Sequence, residues 1–369
     1  MMATHMATKM VKKKKVFVGL SGGVDSAVSA ALLQHDYDVT GVFIKVWSPD
    51  FLPCTWREDR LDAMRVCAYL DIPFITLDLE KEYKQDVVDY MVLEYKKGRT
   101  PNPDVMCNKQ IKFGAFYEFA RKQGADCIAT GHYIQKFEKR NLKNEIQYTL
   151  KEAEDDAKEQ SYFLWNIKKE QLPHVLFPIG GFQKEHVRKL AKKFGLPNAE
   201  KKDSQGLCFI GKVDMKEFLS HFITEKEGSV LDVKGNVIGK HPGVTFFTIG
   251  QRHGFTTFNT DTKSKPLYVV EKNIQKNTIT VSSLKKEDLK DLLIDSFHLS
   301  QTNWMEEPKE DILYNIRLRY HQTPIKGTIK QHGEVFTVQL NSPVPGISIG
   351  QSAVFYRENI MIGGGIIEA

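Results

Sequence analysis

Three short stretches of the chain carry groups able to do chemistry. The first runs through Val16, Phe17, Val18, Gly19, Leu20, Ser21, Gly22, Gly23, Val24, Asp25 and Ser26. An apolar β-branched run, a glycine break and an Ala/Leu-rich run predict strand, tight turn and helix. That order aims several N–H groups and the positive end of a helix at one point, which suits a phosphate. Gly22 and Gly23 let the backbone close in without a Cβ, and Ser21 and Ser26 add hydroxyls. Asp25 does not suit direct phosphate contact and reads as a Mg²⁺ ligand or a brace for the loop. No Gly-Lys-Ser/Thr follows and Gly-x-Gly-x-x-Gly is absent, so neither the lysine-bearing P-loop nor the dinucleotide fingerprint applies.

The second stretch is Thr100, Pro101, Asn102, Pro103, Asp104, Val105, Met106, Cys107 and Asn108. The prolines fix an extended approach, and Asn102 or Asp104 can cap the helix that follows. Cys107 then sits in a first helical turn, where the dipole favours a thiolate by ~0.3–1 kcal/mol. Asp104, three residues earlier, would oppose that thiolate and is better placed to exchange a proton with a bound substrate base. A plain buried cysteine is the other reading of Cys107. The third stretch is Lys201 to Gly211, with Cys208 in a glycine-flanked loop near Lys201 and Lys202, an electropositive setting that favours a reactive thiol.

These groups need a scaffold. Residues 38–46, 73–77 and 125–130 read as further strands, and 57–70 and 81–95 as amphipathic helices. Strand–helix alternation predicts a parallel α/β sheet. Ligands bind at the carboxyl ends of such strands, so Ile44 is a candidate wall for an adenine, with plain core as the alternative. Gly131 would let a nucleotide lie against the backbone, and His132 beside it either meets substrate or makes a structural hydrogen bond. Cys127 reads as core, and residues 137–150 as a hairpin. The stretch from Asp156 to Trp165, with Lys158, Glu159 and Gln160, passes from charge to aromatics, as nucleic-acid contacts do. Residues 183–194 read as a basic helix whose Lys184, Arg188 and Lys192 either meet an RNA backbone or form an ordinary solvated face. After a short helix at 215–223 come short alternating runs whose spacing suggests a small barrel.

Composition is that of a globular protein: 41% hydrophobic and 27% charged over 369 residues, with net charge +6, which permits an anionic partner without requiring one. No apolar run reaches the ~18 residues of a membrane span. The lysine-bearing start, Met1 to Met10 included, lacks a secretory apolar core. Five cysteines without zinc-ligand spacing fit a reducing, cytoplasmic setting rather than a disulfide scaffold or a metal site. Cys54 and Cys67 have no evident role.

Ser21-Gly-Gly-Val-Asp-Ser26 resembles the signature of the N-type ATP pyrophosphatases, the PP-loop enzymes. With Thr100-Pro-Asn-Pro-Asp-Val-Met-Cys-Asn108, Thr130-Gly-His-Tyr133, Lys158-Glu-Gln-Ser-Tyr-Phe-Leu164, Leu196 through Asp203-Ser-Gln-Gly-Leu-Cys-Phe-Ile-Gly211, Thr248-Ile-Gly-Gln-Arg-His-Gly254 and Gly350-Gln-Ser-Ala-Val-Phe-Tyr356 in this order, the chain closely resembles the tRNA-specific 2-thiouridylases, the MnmA/TrmU family. The resemblance implies an N-terminal Rossmann-like PP-loop domain (residues 11–213), a central mainly-β domain (214–285) and a C-terminal β-barrel (286–369). It implies that Gly19, Leu20, Ser21, Gly22, Gly23, Val24, Asp25, Ser26, Ile44 and Gly131 bind ATP, with Mg²⁺ aiding pyrophosphate departure and no side-chain metal ligand assigned. Ile44 stands where family members commonly carry methionine, which a backbone contact to adenine tolerates. The wobble uridine would be adenylated at C2, with Cys208 carrying persulfide sulfur and Cys107 as nucleophile or resolving thiol, through a transient disulfide. Asn102, Pro103 and Asp104 would surround the base, Asp104 as acid/base. His132, Lys158, Glu159, Gln160, Arg319, Tyr320 and Gln351 would contact tRNA. A sulfur-relay protein is the implied partner, and the protomer is expected to be a monomer. Competing expectations are another PP-loop adenylating enzyme, such as an amide ligase, and a non-catalytic tRNA-binding protein; neither explains both cysteines with an intact loop.

Overall fold

The computed structural model describes residues 12–52, 56–140, 143–203, 206, 208, 209, 211, 213–258, 265–283 and 292–368. The methionine-bearing leader, Cys54, and Ser204, Gln205, Leu207 and Ile210 of the second cysteine's loop lie outside them.

The β-branched runs form a five-stranded parallel sheet in the order Phe74–Asp78, Tyr37–Lys45, Lys14–Gly19, Cys127–Ala129, Val175–Leu176. Val16, Val18 and Ile128 are fully buried, as strands covered on both faces must be. The strand order reverses at Lys14–Gly19, so the crevice for a ligand opens between its carboxyl end and that of Cys127–Ala129. Helix Val24–Leu33 follows the first strand directly. Cys127 is buried within its strand, as core.

Short β runs dominate the rest. A second five-stranded sheet pairs Thr256–Thr257, Val237–His241, Gly228–Leu231, Thr278–Ser282 and Tyr268–Asn273. The third sheet has eight strands, of which six close into a barrel as Leu293–Trp304 pairs with Ile360–Glu368. Phe297, Ile316, Val338, Phe355 and Ile362 fill it. The other two strands are the hairpin Gln135–Arg140 and Ile146–Lys151 of the first unit, joined to the barrel by the pairs Ile360↔Lys151 and Met361↔Leu150. The barrel is thus continuous with the nucleotide-side unit. Arg99 adds a bidentate pair to Glu368 (2.6 Å for both bonds), and the Thr100 N–H donates to the Ile349 carbonyl at 2.8 Å. These bonds fix the approach to Asn102 and Cys107. Among the described residues no helix is long and apolar enough to cross a membrane.

Candidate active site

The glycine turn has the backbone form that suits a phosphate. Gly22 lies at φ +77°, where a Cβ would collide with the Asp59 carbonyl. Gly23 begins the helix with no side-chain cap, which leaves the first-turn N–H groups to a ligand. The Ser26 hydroxyl donates to the Gly23 carbonyl (3.1 Å) and accepts from the Ser21 N–H (3.2 Å). Asn198 donates to the Gly22 carbonyl at 2.9 Å. Asp25 is the brace of the two sequence readings: its carboxylate accepts from Lys184 at 2.7 and 2.8 Å and from the Tyr133 hydroxyl at 2.8 Å. Gly131 has no room for a Cβ, which would stand 2.8 Å from the Ser26 nitrogen.

Beside this loop lies a cavity of about 170 Å³, lined on one side by Gly19, Leu20, Ser21, Asp25, Ser26, Ile44 and Gly131. Its other wall is Lys112, Phe116, Thr130, His132, Gln160 and Phe209. Gly22, Gly23 and Val24 do not line it; Val24 is core.

The two distant cysteines meet. Cys107 and Cys208, 101 residues apart, have their sulfurs 3.4 Å from one another, the Cys107 thiol donating to Cys208. Asn102 is the helix cap: its side chain accepts from the Val105 N–H at 3.2 Å, and Pro103 opens the helix. Asp104 instead accepts from the Cys208 N–H at 3.1 Å, and the Tyr83 hydroxyl donates to the Cys208 carbonyl at 2.8 Å. Cys107 is wholly buried, and burial pushes its thiol well above the usual range. Cys208 goes the other way, to about 7, through the bond from Cys107 and the Lys112 ammonium, against the cost of burial. Burial raises the Asp104 carboxyl, against its bond to the Cys208 N–H and the Lys112 charge. His132 is held well below its normal value by burial and by Lys112, and is neutral.

Lys112 was not among the sequence candidates. It reaches the thiols because residues Cys107–Ala115 form a π-helix. In an α-helix residue i+5 stands about 140° round from i; the wider i→i+5 turn swings Lys112 back toward Cys107, and such segments are frequent at functional sites. Lys201, expected to supply the positive setting of Cys208, is instead held by Asp59 and Asp62, each at 2.7 Å. Phe209, next to Cys208, sits at φ +68°, a left-handed conformation costly for a bulky residue.

The expected tRNA contacts divide. His132 and Gln160 line the cavity; Gln160 accepts from the Tyr133 N–H at 2.9 Å, and the His132 Nδ1 meets the Thr130 hydroxyl at 2.8 Å. The Glu159 expectation is corrected: its side chain is 4% exposed and sealed by Arg317 (2.9 Å) and the Ser161 N–H (2.5 Å). Gln351 donates to the Thr100 and Pro101 carbonyls at 3.0 and 3.2 Å, securing the strap before Asn102. Lys158 is paired with Asp203 at 2.6 Å. Tyr320 packs on Phe163 with ring centroids 4.4 Å apart. Arg319 is exposed and donates to the Ile249 carbonyl at 2.6 Å and the Ser348 hydroxyl at 3.3 Å, with no carboxylate partner among the described residues. The helix Lys184–Lys193 is no free basic face either. Lys184 is buried on Asp25 and Asp203, Arg188 binds Asp203 at 2.7 Å, Lys189 pairs with Glu185 and Lys192 with Glu200.

Family models described as the tRNA methyl transferase HUP domain, the tRNA methyl transferase PRC-barrel domain and the aminomethyltransferase beta-barrel domain match residues 14–212, 216–283 and 294–367. The tRNA-specific 2-thiouridylase MnmA of Idiomarina loihiensis is 42% identical over 364 residues, covering 96% of this chain and 96% of that protein. Its namesake in Nitrosomonas europaea is 42% identical over 365 residues, covering 97% and 99%. The Listeria monocytogenes serotype 4b protein of that name is 42% identical over 360 residues, covering 96% and 94%.

Proposed function

The chain belongs to the tRNA-specific 2-thiouridylase family, and from that premise we propose how its site exchanges oxygen for sulfur on a tRNA uridine. The enzyme is a tRNA-uridine 2-sulfurtransferase that uses ATP. In our reading the triphosphate lies on the turn from Ser21 to Ser26, with the adenine against Ile44 and Gly131. The wobble uridine flips out of its stack and enters between the cavity and Asn102, Pro103 and Asp104. Its C2 oxygen attacks the α-phosphorus; pyrophosphate leaves and C2 carries AMP. A relay protein has loaded Cys208 with a sulfane sulfur. The terminal sulfur of that persulfide attacks C2, the C–O bond breaks and AMP leaves. Cys107, giving up its thiol proton to solvent, then attacks the Cys208 sulfur, the bond to the base's sulfur breaks, and 2-thiouridine departs. The resulting Cys107–Cys208 disulfide is returned to two thiols by an external dithiol. Asp104, raised by burial, carries the proton that the base gives up and regains.

Mg²⁺ fits no set of side chains here: Asp25, the sequence candidate, already serves Lys184 and Tyr133, and no acidic or His/Cys cluster suits a metal among the described residues. No step is assigned to protein-held metal; Mg²⁺ would come bound to the nucleotide's phosphates. Arg319, Tyr320 and Lys158 are the side chains left to meet tRNA, on a monomer in the cytoplasm.

The observation that carries the reading is the thiol pair, 3.4 Å apart, whose Cys208 is flanked by Lys112 and Phe209 of the cavity wall. Neither methyl transfer, named in the family models' descriptions, nor an amide ligation would employ two thiols beside an adenylating loop. The test is incubation with ATP, Mg²⁺, a sulfide source or persulfide donor and unmodified tRNA, followed by nucleoside analysis. Folded wild-type protein should yield 2-thiouridine, whereas Cys107→Ser and Cys208→Ser should yield none with the persulfide donor and still bind ATP. No product from wild type, or full activity in either variant, removes the corresponding part of the mechanism.

A further inference from the structure

Lys112 stands where the two halves of the site touch. It lines the nucleotide cavity together with Ser21, Ser26 and Gly131. It also lies beside the thiol pair, over the ring of Phe209 that follows Cys208, and its charge acts on both sulfurs. An ammonium donates only, so the His132 Nε2 at 3.3 Å must accept from it. The His132 proton is then on Nδ1, donating to the Thr130 hydroxyl at 2.8 Å. This neutral imidazole holds Lys112 without cancelling its charge. No carboxylate lies within ion-pair distance of Lys112 among the described residues; the ring of Phe209 covers it at 5.5 Å. His132 takes one of its three N–H donors, and the ammonium borders the cavity that the Ser21–Ser26 turn lines, where a ligand's phosphate would sit.

We propose that Lys112 is a positioning residue shared by both half-reactions: its ammonium keeps the Cys208 sulfur anionic and offers its spare donor to the nucleotide's phosphates, so that nucleotide occupancy and thiol reactivity are coupled through one cation. The proton of the Cys208 thiol goes to solvent, and no redox step is involved. The inference rests on the reading above that the cavity takes ATP. Among the described residues the groups facing the Cys208 sulfur and its peptide are Cys107 and Asp104 from the preceding helical segment, Lys112 from the π-helix, Tyr83 from the helix beside it and, through Lys112, His132 from the strand end. Of these Lys112 alone is cationic, so removing it should leave the sulfur facing only neutral or acidic neighbours. An opposite charge at this range moves a thiol by about 1–3 units.

The test is the pH profile of iodoacetamide alkylation at Cys208, read by peptide mass in the full-length protein. The midpoint is followed rather than the rate, because thiolate nucleophilicity itself falls with falling pKa. Wild type should show a midpoint near the value of about 7 that its neighbours impose. Lys112→Met should raise the midpoint by about 1–3 units, roughly a 5- to 500-fold loss of thiolate at pH 7, and Lys112→Arg should restore most of the shift. Saturating α,β-methylene-ATP should raise the wild-type midpoint more than that of Lys112→Met, where only direct phosphate repulsion remains. Should Lys112→Met fail to fold by circular dichroism, Lys112→Gln takes its place. An unchanged midpoint in the charge-removed variant overturns the proposal, and equal nucleotide shifts in both proteins overturn the sharing. None of these readouts needs tRNA. Loss of 2-thiouridine formation with the expected midpoints would sink the functional reading and leave this one standing.

Discussion

Gly131→Ala is the sharpest single-atom probe of the nucleotide loop. The strand Cys127–Ala129 delivers Gly131 against the start of helix Val24–Leu33. An added Cβ would stand 2.8 Å from the Ser26 nitrogen, 2.9 Å from the Asp25 carbonyl carbon and 3.1 Å from the Ser26 Cα. All three are backbone atoms, so no side chain can turn away. Reaching ordinary carbon contact requires a separation of roughly 0.6 Å between strand end and helix start. Overpacking of this kind costs about 1–3 kcal/mol. For a unit of this size that lowers Tm by about 2–4 °C per kcal/mol. In the proposed reading the displaced group also donates to phosphate, since the Ser26 N–H belongs to the uncapped first turn. A hydrogen bond to a charged group is worth about 1.5–3 kcal/mol, so ATP should bind roughly 10- to 100-fold more weakly. Gly181→Ala is the control: nothing lies within 4 Å of where its Cβ would stand. It should leave ATP affinity unchanged and Tm level or slightly higher. Titration calorimetry and thermal unfolding read both variants. Wild-type ATP affinity in Gly131→Ala at unchanged Tm would refute the claim that this crevice holds the nucleotide.

Lys184→Met should be destabilising by about 1–3 kcal/mol, because it leaves the half-buried Asp25 without its cation while Asp203 keeps Lys158 and Arg188; Lys184 bonds Asp25 at 2.7 Å and Asp203 at 2.8 Å. Lys189→Met on the same helix, whose pair with Glu185 is fully exposed, should leave the unfolding curve where it is. Burial works against the Asp203 charge, yet its bonds from Lys158 and Lys184 win and hold the carboxyl down at about 2. A depressed carboxyl stabilises above its unfolded value near 3.9 and loses that contribution as pH falls toward 2. The urea midpoint of wild type should therefore fall between about pH 4 and pH 2 more steeply than that of Asp203→Asn; equal slopes would remove Asp203 as the source. Arg319→Ala should weaken tRNA binding uniformly across sequences and lower the slope of log affinity against log salt by about 1. An unaltered slope in filter binding would move the phosphate contact elsewhere.

Much of this site can be read from sequence because its logic is local. Strand, Gly22-Gly23 and helix follow one another without interruption, so the phosphate cradle is written in one stretch. Its parallel sheet follows from β-branched runs spaced by amphipathic helices, and its barrel from short alternating strands. The charges tell the opposite story. Lys184, Arg188 and Lys192 look like one basic face, but their acids, Asp25, Asp203 and Glu200, come from outside that helix. Lys201 and Lys202 look like the activators of Cys208, six and seven positions away, but Lys201 is taken by Asp59 and Asp62. Charges pair through space, and a helix shows its own pairs only at three- and four-residue spacing.

The cation that does act on Cys208 lies 96 positions earlier in the chain, at Lys112, and is visible only once the helix is known to widen. An α-helical reading of residues 107–115 turns Lys112 away from Cys107 and gives the thiols no counter-charge. The π-helix reverses that geometry with no change of residue. Nothing in the composition of Cys107–Ala115 forces the wider turn. A second π segment, Lys84–Asp89, lies against it, and Tyr83 just before that segment bonds the Cys208 carbonyl. The two widened helices and the cysteine loop are therefore one packing solution. Restoring α-geometry to residues 107–115 would turn Lys112 away from the second thiol, so the chemistry of Cys208 depends on a backbone irregularity that side-chain motifs do not encode.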